Sequence, residues 1–147
     1  MTTEKEAEHK NIAKEYFKLV SEGKFKEGLR FFALDCKTHN PYIAGSMETL
    51  TNAMVTASKD MSTQSTDVEF AVKHILAEGD LVAVHTELLN SKFKPSEGGL
   101  RQVHLFRFKG DKIVEYWDIT QQVLPNMPNA SGVWDSDHAE KSGTNVS

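Results

Sequence analysis

What the 147-residue sequence lacks narrows it first. It has one cysteine, Cys36, so no disulfide can form within the chain. Small secreted folds stapled by disulfides are thereby set aside, and a reducing, cytoplasmic setting is expected. It has no excess of basic charge, since 17 Lys and Arg stand against 21 Asp and Glu for a net charge of −4. The electrostatic footprint of a nucleic-acid binder is missing, and no such partner is expected. No apolar run is long enough to span a bilayer, and the first ten residues are too polar for a secretory signal, so no membrane association is expected. No internal repeat or low-complexity linker interrupts the chain. One domain is therefore expected over residues 1–125, followed by an irregular tail over 126–147 where Pro, Asn, Ser and Gly accumulate. In that tail only Val133 and Trp134 are expected to pack, and the last dozen residues to fray.

What is present is ordinary in bulk, with 39% hydrophobic and 26% charged residues, enough for a sizeable core. From Glu4 to about Ser21, Ile12, Ala13, Tyr16, Phe17, Leu19 and Val20 recur at helical spacing, and Gly23 ends the helix. A shorter helix is expected from Phe25 to Ala33. Cys36 to Pro41 reads as extended, because a residue before proline is pushed out of the helical region. A third helix runs from Met47 to about Met61, with Ser46 as its N-cap. After Ser62 to Ser65 the period changes to two. Val68 to Leu76 and Leu81 to Leu89 form strands about the Glu78-Gly79 turn, and Ser91 to Gly99 forms a longer loop.

The last two strands flank Gly110-Asp111, a strong hairpin signal. Leu100, Gln102, His104, Phe106 and Phe108 share one face of the first strand; Val114, Tyr116, Asp118 and Thr120 share one face of the second. A two-residue loop would pair Val103 with Asp118 and strand a carboxylate among apolar neighbours. A three-residue loop, Gly110 to Lys112, pairs His104 with Asp118 and Phe106 with Tyr116, gathering Gln102, His104, Tyr116 and Asp118 into one polar cluster. That register is expected, because a slip of one residue would scatter the cluster to both faces of the sheet. Helices followed by strands argue an α+β fold, a curved antiparallel sheet closed by N-terminal helices into a cone whose pocket the cluster lines.

Several segments, in this order, resemble a known family: His39-Asn40-Pro41, then Ala77 to His85, Gln102-Val103-His104, and Gly110 to Asp118. Together they are similar to the SnoaL-like polyketide cyclases and aldol-condensing enzymes of the nuclear-transport-factor-2-like superfamily, over about Asn11 to Pro125. The resemblance implies the cone-shaped (cystatin-like) fold and acid–base chemistry without metal or organic cofactor. It implies Asp118 as general base, with Gln102 and His104 lining the pocket beside it. One departure is visible: cyclases of this group often carry His-x-Asp on the last strand, where this chain has Tyr116-Trp117-Asp118.

The residues themselves allow chemistry and packing to be weighed side by side. Asp118, between Trp117 and Ile119, is either a structural carboxylate bonded to His104 or a base whose pKa is raised by an apolar pocket. His104 would hold Asp118 or donate to an enolate oxygen, Gln102 could do the latter, and both could simply satisfy buried groups. Asn40 and His39 stand at a plausible pocket rim as substrate contacts, with Tyr116 as a further donor. Tyr16, Phe17 and Phe32 read as core, and Cys36 as a buried small hydrophobe. His74 and His85 show no metal-ligand spacing, so no metal is expected. The leading expectation is removal of a proton next to a carbonyl in a small hydrophobic ligand, for aldol cyclisation, isomerisation or dehydration. The rival is a non-catalytic ligand-binding or dimerisation module of the same fold. A homodimer is expected, because Val103, Leu105, Ile113, Trp117 and Ile119 would otherwise leave an apolar patch outside.

Overall fold

The computed structural model describes residues 1–63, 68–90 and 98–134. Helix α1 spans Glu4–Ser21 and opens with a capping box: Thr3 accepts from the Glu6 amide, and the Glu6 carboxylate accepts from the Thr3 amide. Its buried stripe is His9, Ala13, Tyr16 and Phe17, the i, i+4, i+7, i+8 spacing that puts residues on one helical face. A 3-10 helix over Lys26–Phe31 follows, shorter than the expected helix because Phe32 already begins strand β1, Phe32–His39. Helix α2 runs Met47–Thr63, and the Ser46 hydroxyl caps the Thr49 amide. Strands β2 (Val68–Glu78), β3 (Leu81–Asn90), β4 (Gly99–Lys109) and β5 (Lys112–Val123) complete the sheet. The expected 62–65 boundary and the 91–99 loop fall largely outside the described residues.

The sheet order is β1-β5-β4-β3-β2. Its four consecutive strands are antiparallel, as expected, but β1 joins β5 in parallel, so the sheet is mixed. This pairing brings the end of β1, with His39 and Asn40, beside Trp117 and Asp118. The α+β class and curved sheet against N-terminal helices are those expected. The core lies between α1, α2 and the inner sheet face, and it includes Tyr16, Phe17, Phe32, Leu50, Val82, Val84, Phe106, Ile113 and Tyr116.

The register of the last hairpin pairs His104 with Asp118 and Phe106 with Tyr116, as the polar cluster required. The route to it differs from the expectation. Lys109 pairs with Lys112, so the turn is the two-residue Gly110-Asp111, with Gly110 at φ 63°. The register then shifts between Arg107 and Phe108, which pair with Glu115 and Ile113. Val114 is the extra residue of a β-bulge, and the bulge restores the register that the tight turn alone would have missed. It also changes the parity of β5. Ile113, expected on the outside, is fully buried in the core. A second register shift, between Val72 and His74, acts likewise on β2: Phe70 packs against the core before it, Ile75 and Ala77 after it.

Helix α1 locks both turns. The Glu6 carboxylate accepts from the Gly79 amide at 2.7 Å, and His9 Nε2 donates to the Gly110 carbonyl at 2.9 Å while its ring stacks on Phe108. The tail packs through Ala130 and Trp134 against Leu89 and Val123, with Val133 partly covered. Leu89 and Val123 share the strand parity of His85 and Ile119, so Trp134 covers the outer end of the sheet and does not fill the inner face.

Candidate functional site

On the inner face Asp118 is half-buried, and its partner is not His104. Asn40 Nδ2 reaches both carboxylate oxygens, at 2.9 and 2.7 Å. The Asn40 carbonyl oxygen meanwhile accepts from the Tyr42 and Ile43 amides at 2.8 and 2.9 Å. These backbone bonds fix which end of the amide faces Asp118, an Asx-type turn used to aim a donor. Burial raises the Asp118 pKa above its ordinary 3.8, and the Asn40 bond only partly opposes that. A desolvated carboxylate whose bonds all come from a neutral amide is a better base than a free one.

His104 is buried, at 5% exposure, and both ring nitrogens are engaged: Nδ1 with the Tyr116 hydroxyl at 2.8 Å, Nε2 with Thr86 Oγ1 at 2.9 Å. The expected His104–Asp118 bond is therefore replaced. The two residues are cross-strand neighbours, but His104 turns along the strands towards Thr86 and Tyr116. Burial pushes its pKa down to about 3, so the ring is neutral. Thr86 donates onward to Gln102 Oε1 at 3.1 Å, and Gln102 Nε2 donates to Thr120 Oγ1 at 3.4 Å. Gln102, His104 and Tyr116 are thus brought together as one hydrogen-bonded chain beside Asp118.

His39 goes elsewhere. Its ring stacks on Trp117 at 4.9 Å, and Nε2 meets Glu115 at 2.7 Å. Trp117 and Glu115 lie on the opposite face of β5 from Asp118, because successive strand residues alternate. This corrects its expected place among the substrate contacts.

Two residues were missed. Thr86, fully buried, links His104 to Gln102; a lone threonine among the inward-facing valines Val82 and Val84 was the signal for it. Tyr16, read as core, is 2% exposed, and its hydroxyl makes no hydrogen bond among the described residues. Burial first, then the Asp118 charge, raises its pKa, and the same influences act on Tyr116. Buried phenols ordinarily find a partner, so a phenol in a helical core stripe carries more information than a phenylalanine there. Cys36 is buried, and desolvation lifts its thiol to about 11, which suits packing rather than nucleophilic work. Among the described residues no group of three or more His, Cys, Asp or Glu is arranged to hold a metal ion.

The comparisons with known proteins converge on the same architecture. The model of the SnoaL-like domain matches residues 13–116, from the middle of α1 to Tyr116. The chain belongs to the SnoaL-like family. Solved structures share the SnoaL-like fold at low identity. AclR, a candidate hydroxylase from Streptomyces galilaeus, superposes with a TM-score of 0.64 at 19% identity, over 79% of this chain and 90% of that one. A candidate polyketide cyclase from Sinorhizobium meliloti gives 0.57 at 16% identity, over 74% and 94%. A candidate ketosteroid isomerase from Kribbella flavida gives 0.59 at 14% identity, over 88% and 89%. No curated protein matches the chain. Within the SnoaL-like fold these neighbours are named for different chemistries, so the site's own geometry has to carry the functional argument. No helix among the described residues is long and apolar enough to cross a membrane.

Proposed function

We propose that this chain is an acid–base enzyme that removes a proton from carbon next to a carbonyl in a small hydrophobic ligand, with Asp118 as the base. The observation that carries the reading is the Asp118 carboxylate itself: half-buried, its pKa raised by desolvation, and aimed by Asn40. The proton passes from the carbon to a carboxylate oxygen, and the C–H electron pair moves onto the carbonyl oxygen as an enolate. Tyr16 is buried at the residue level, its hydroxyl shows no hydrogen bond among the described residues, and it is the donor suited to that oxygen. His104 does not serve there, because both its nitrogens are occupied and its ring is neutral. Gln102 and His104 instead hold the floor of the site. Aldol cyclisation, isomerisation and dehydration all begin with this step, and the likeness to the cyclase fold favours the first. The chemistry asks no metal or organic cofactor of these residues. The test is α-proton exchange in D₂O, followed by NMR over a panel of small β-dicarbonyl and aromatic polyketide compounds. Catalysed exchange with any of them supports the enzyme. Binding of panel members without exchange favours the non-catalytic ligand-binding module.

A second reading concerns assembly, and an observation on the other face favours it. Leu76, Ile119 and Val103 are 69%, 57% and 36% exposed on β2, β5 and β4. With Leu105 and Trp117 beside them they form an apolar outer face suited to a second copy related by two-fold symmetry. A homodimer through this face leaves the inner face, and Asp118, open to ligand.

A further inference from the structure

The hydrogen-bonded chain on the inner face has a direction, and the direction decides what the site offers a ligand. A hydroxyl has one proton to give. Thr86 spends its proton on Gln102 Oε1 at 3.1 Å, and Gln102 spends an amide proton on Thr120. The 2.9 Å contact between Thr86 Oγ1 and His104 Nε2 can then be filled only if Nε2 carries the hydrogen and Thr86 accepts it. A neutral imidazole with its hydrogen on Nε2 has a bare lone pair on Nδ1. The Tyr116 hydroxyl, 2.8 Å away, must therefore donate to Nδ1. Every hydrogen points the same way, from Tyr116 through His104, Thr86 and Gln102 to Thr120.

We propose that Thr86 is a positioning residue that sets the tautomer of His104 and so turns Tyr116 into a hydrogen-bond acceptor towards the ligand. With its own proton committed, the Tyr116 oxygen presents only lone pairs, and its donation into the chain makes it a stronger acceptor. Tyr16 presents the opposite character, a phenol whose proton is uncommitted among the described residues. The inner face then matches a ligand with a carbonyl oxygen for Tyr16 and a hydroxyl, as alcohol, enol or phenol, for Tyr116. This ligand class rests on the reading of the inner face as the ligand site. The polarity of the chain does not.

Two measurements keep those apart. The first is ¹⁵N NMR of histidine-labelled, unliganded protein, in which the tautomer of His104 is read directly. The expected result is hydrogen on Nε2 in the wild type and in Thr86→Ser, which keeps an acceptor. In Thr86→Val, which nearly preserves shape, the hydrogen should move to Nδ1 and Tyr116 becomes the acceptor of that bond. Hydrogen on Nδ1 in the wild type, or a tautomer indifferent to Thr86→Val, overturns the proposal. The second measurement compares binding of para-hydroxyacetophenone with that of para-methoxyacetophenone, which has lost the donor. A preference of about tenfold for the hydroxyl compound, the scale of one hydrogen bond, that is lost in Thr86→Val and kept in Thr86→Ser is the expected result. Equal binding by the wild type overturns the ligand class. Failure of both ketones to bind, with the tautomers as expected, counts against the ligand-site reading while the polarity stands.

Discussion

Strands β4 and β5 carry two unlike surfaces on the same backbone. On the inner face the polar groups carried by the strands are matched: Asp118 with Asn40, His104 with Tyr116 and Thr86, Gln102 with Thr86 and Thr120. On the outer face Ile119 and Val103 stand exposed, while Arg107 bonds Asp80 and Glu115 at the surface. His74 and His85 meet there through their Nδ1 atoms at 3.0 Å. Buried polar networks are costly when half satisfied, so the chain from Tyr116 to Thr120 holds only as a completed set. The outer face is loosely specified, and its apolar side chains Leu76, Val103 and Ile119 stand exposed. The lesson is that matched polar groups mark one face of the sheet and exposed apolar area the other.

The comparison breaks most sharply in acid. The folded His104 gives up its proton at about 3, against 6.5 for an ordinary histidine. Between those values the unfolded chain binds more protons, so stability falls as pH drops below 6.5 and the loss is complete near 3. The full shift corresponds to on the order of 5 kcal/mol. Asp118, with its pKa raised, acts in the opposite sense and, being half-buried, more weakly. Denaturant titrations at neutral and acid pH should show this loss, and His104→Gln should flatten it. Equal stability at the two pH values contradicts a neutral, buried His104.

The outer face comes next. Ile119→Asp places a charge in the proposed contact, which should weaken the dimer by about 10²-fold while leaving the monomer fold intact, as expected for a charge buried without a partner. Sedimentation across a concentration series measures it, and a wild type that is monomeric at micromolar concentration removes the second copy from the account. Asn40→Ala should have a smaller effect. Asp118 keeps its place in the strand but loses its aim, so catalysed exchange should drop by roughly tenfold, the scale of one hydrogen bond to a charged group. An unchanged rate would make that bond structural. His39→Ala should matter least: it removes an exposed hydrogen bond to Glu115 worth about 1 kcal/mol and leaves exchange alone. A clear loss of exchange would return His39 to the site.

Much of this was legible in the sequence, and the failures have physical causes. The hairpin register could be read because only one alignment keeps four polar groups on one face. The turn that produces it could not, since a two-residue turn with a bulge and a three-residue loop give the same pairing downstream. The bulge at Val114 then moved Ile113 from the outside to the core. His39 and Asn40 were both assigned to the site, although neighbours in an extended segment point to opposite faces; alternation alone excludes one of them. The parallel docking of β1 on β5 chose Asn40. Thr86 and Tyr16 reach the site from β3 and α1 by long-range packing, which local periodicity does not encode.

The central claim is that the Asp118 carboxylate removes a proton from carbon. The most direct measurement is the rate of α-proton exchange in D₂O for wild type and Asp118→Asn, on the best compound of the panel, with melting temperatures taken in parallel. The substitution keeps size and an oxygen that can accept from Asn40, but it loses the base. Exchange should fall by at least ~10²-fold, the scale of an acid–base group, with little change in melting temperature. In the wild type the rate should rise with pH through a pKa above 3.8, as the carboxylate ionises. A folded Asp118→Asn protein that exchanges the proton as fast as wild type contradicts the account and makes the carboxylate a structural partner of Asn40.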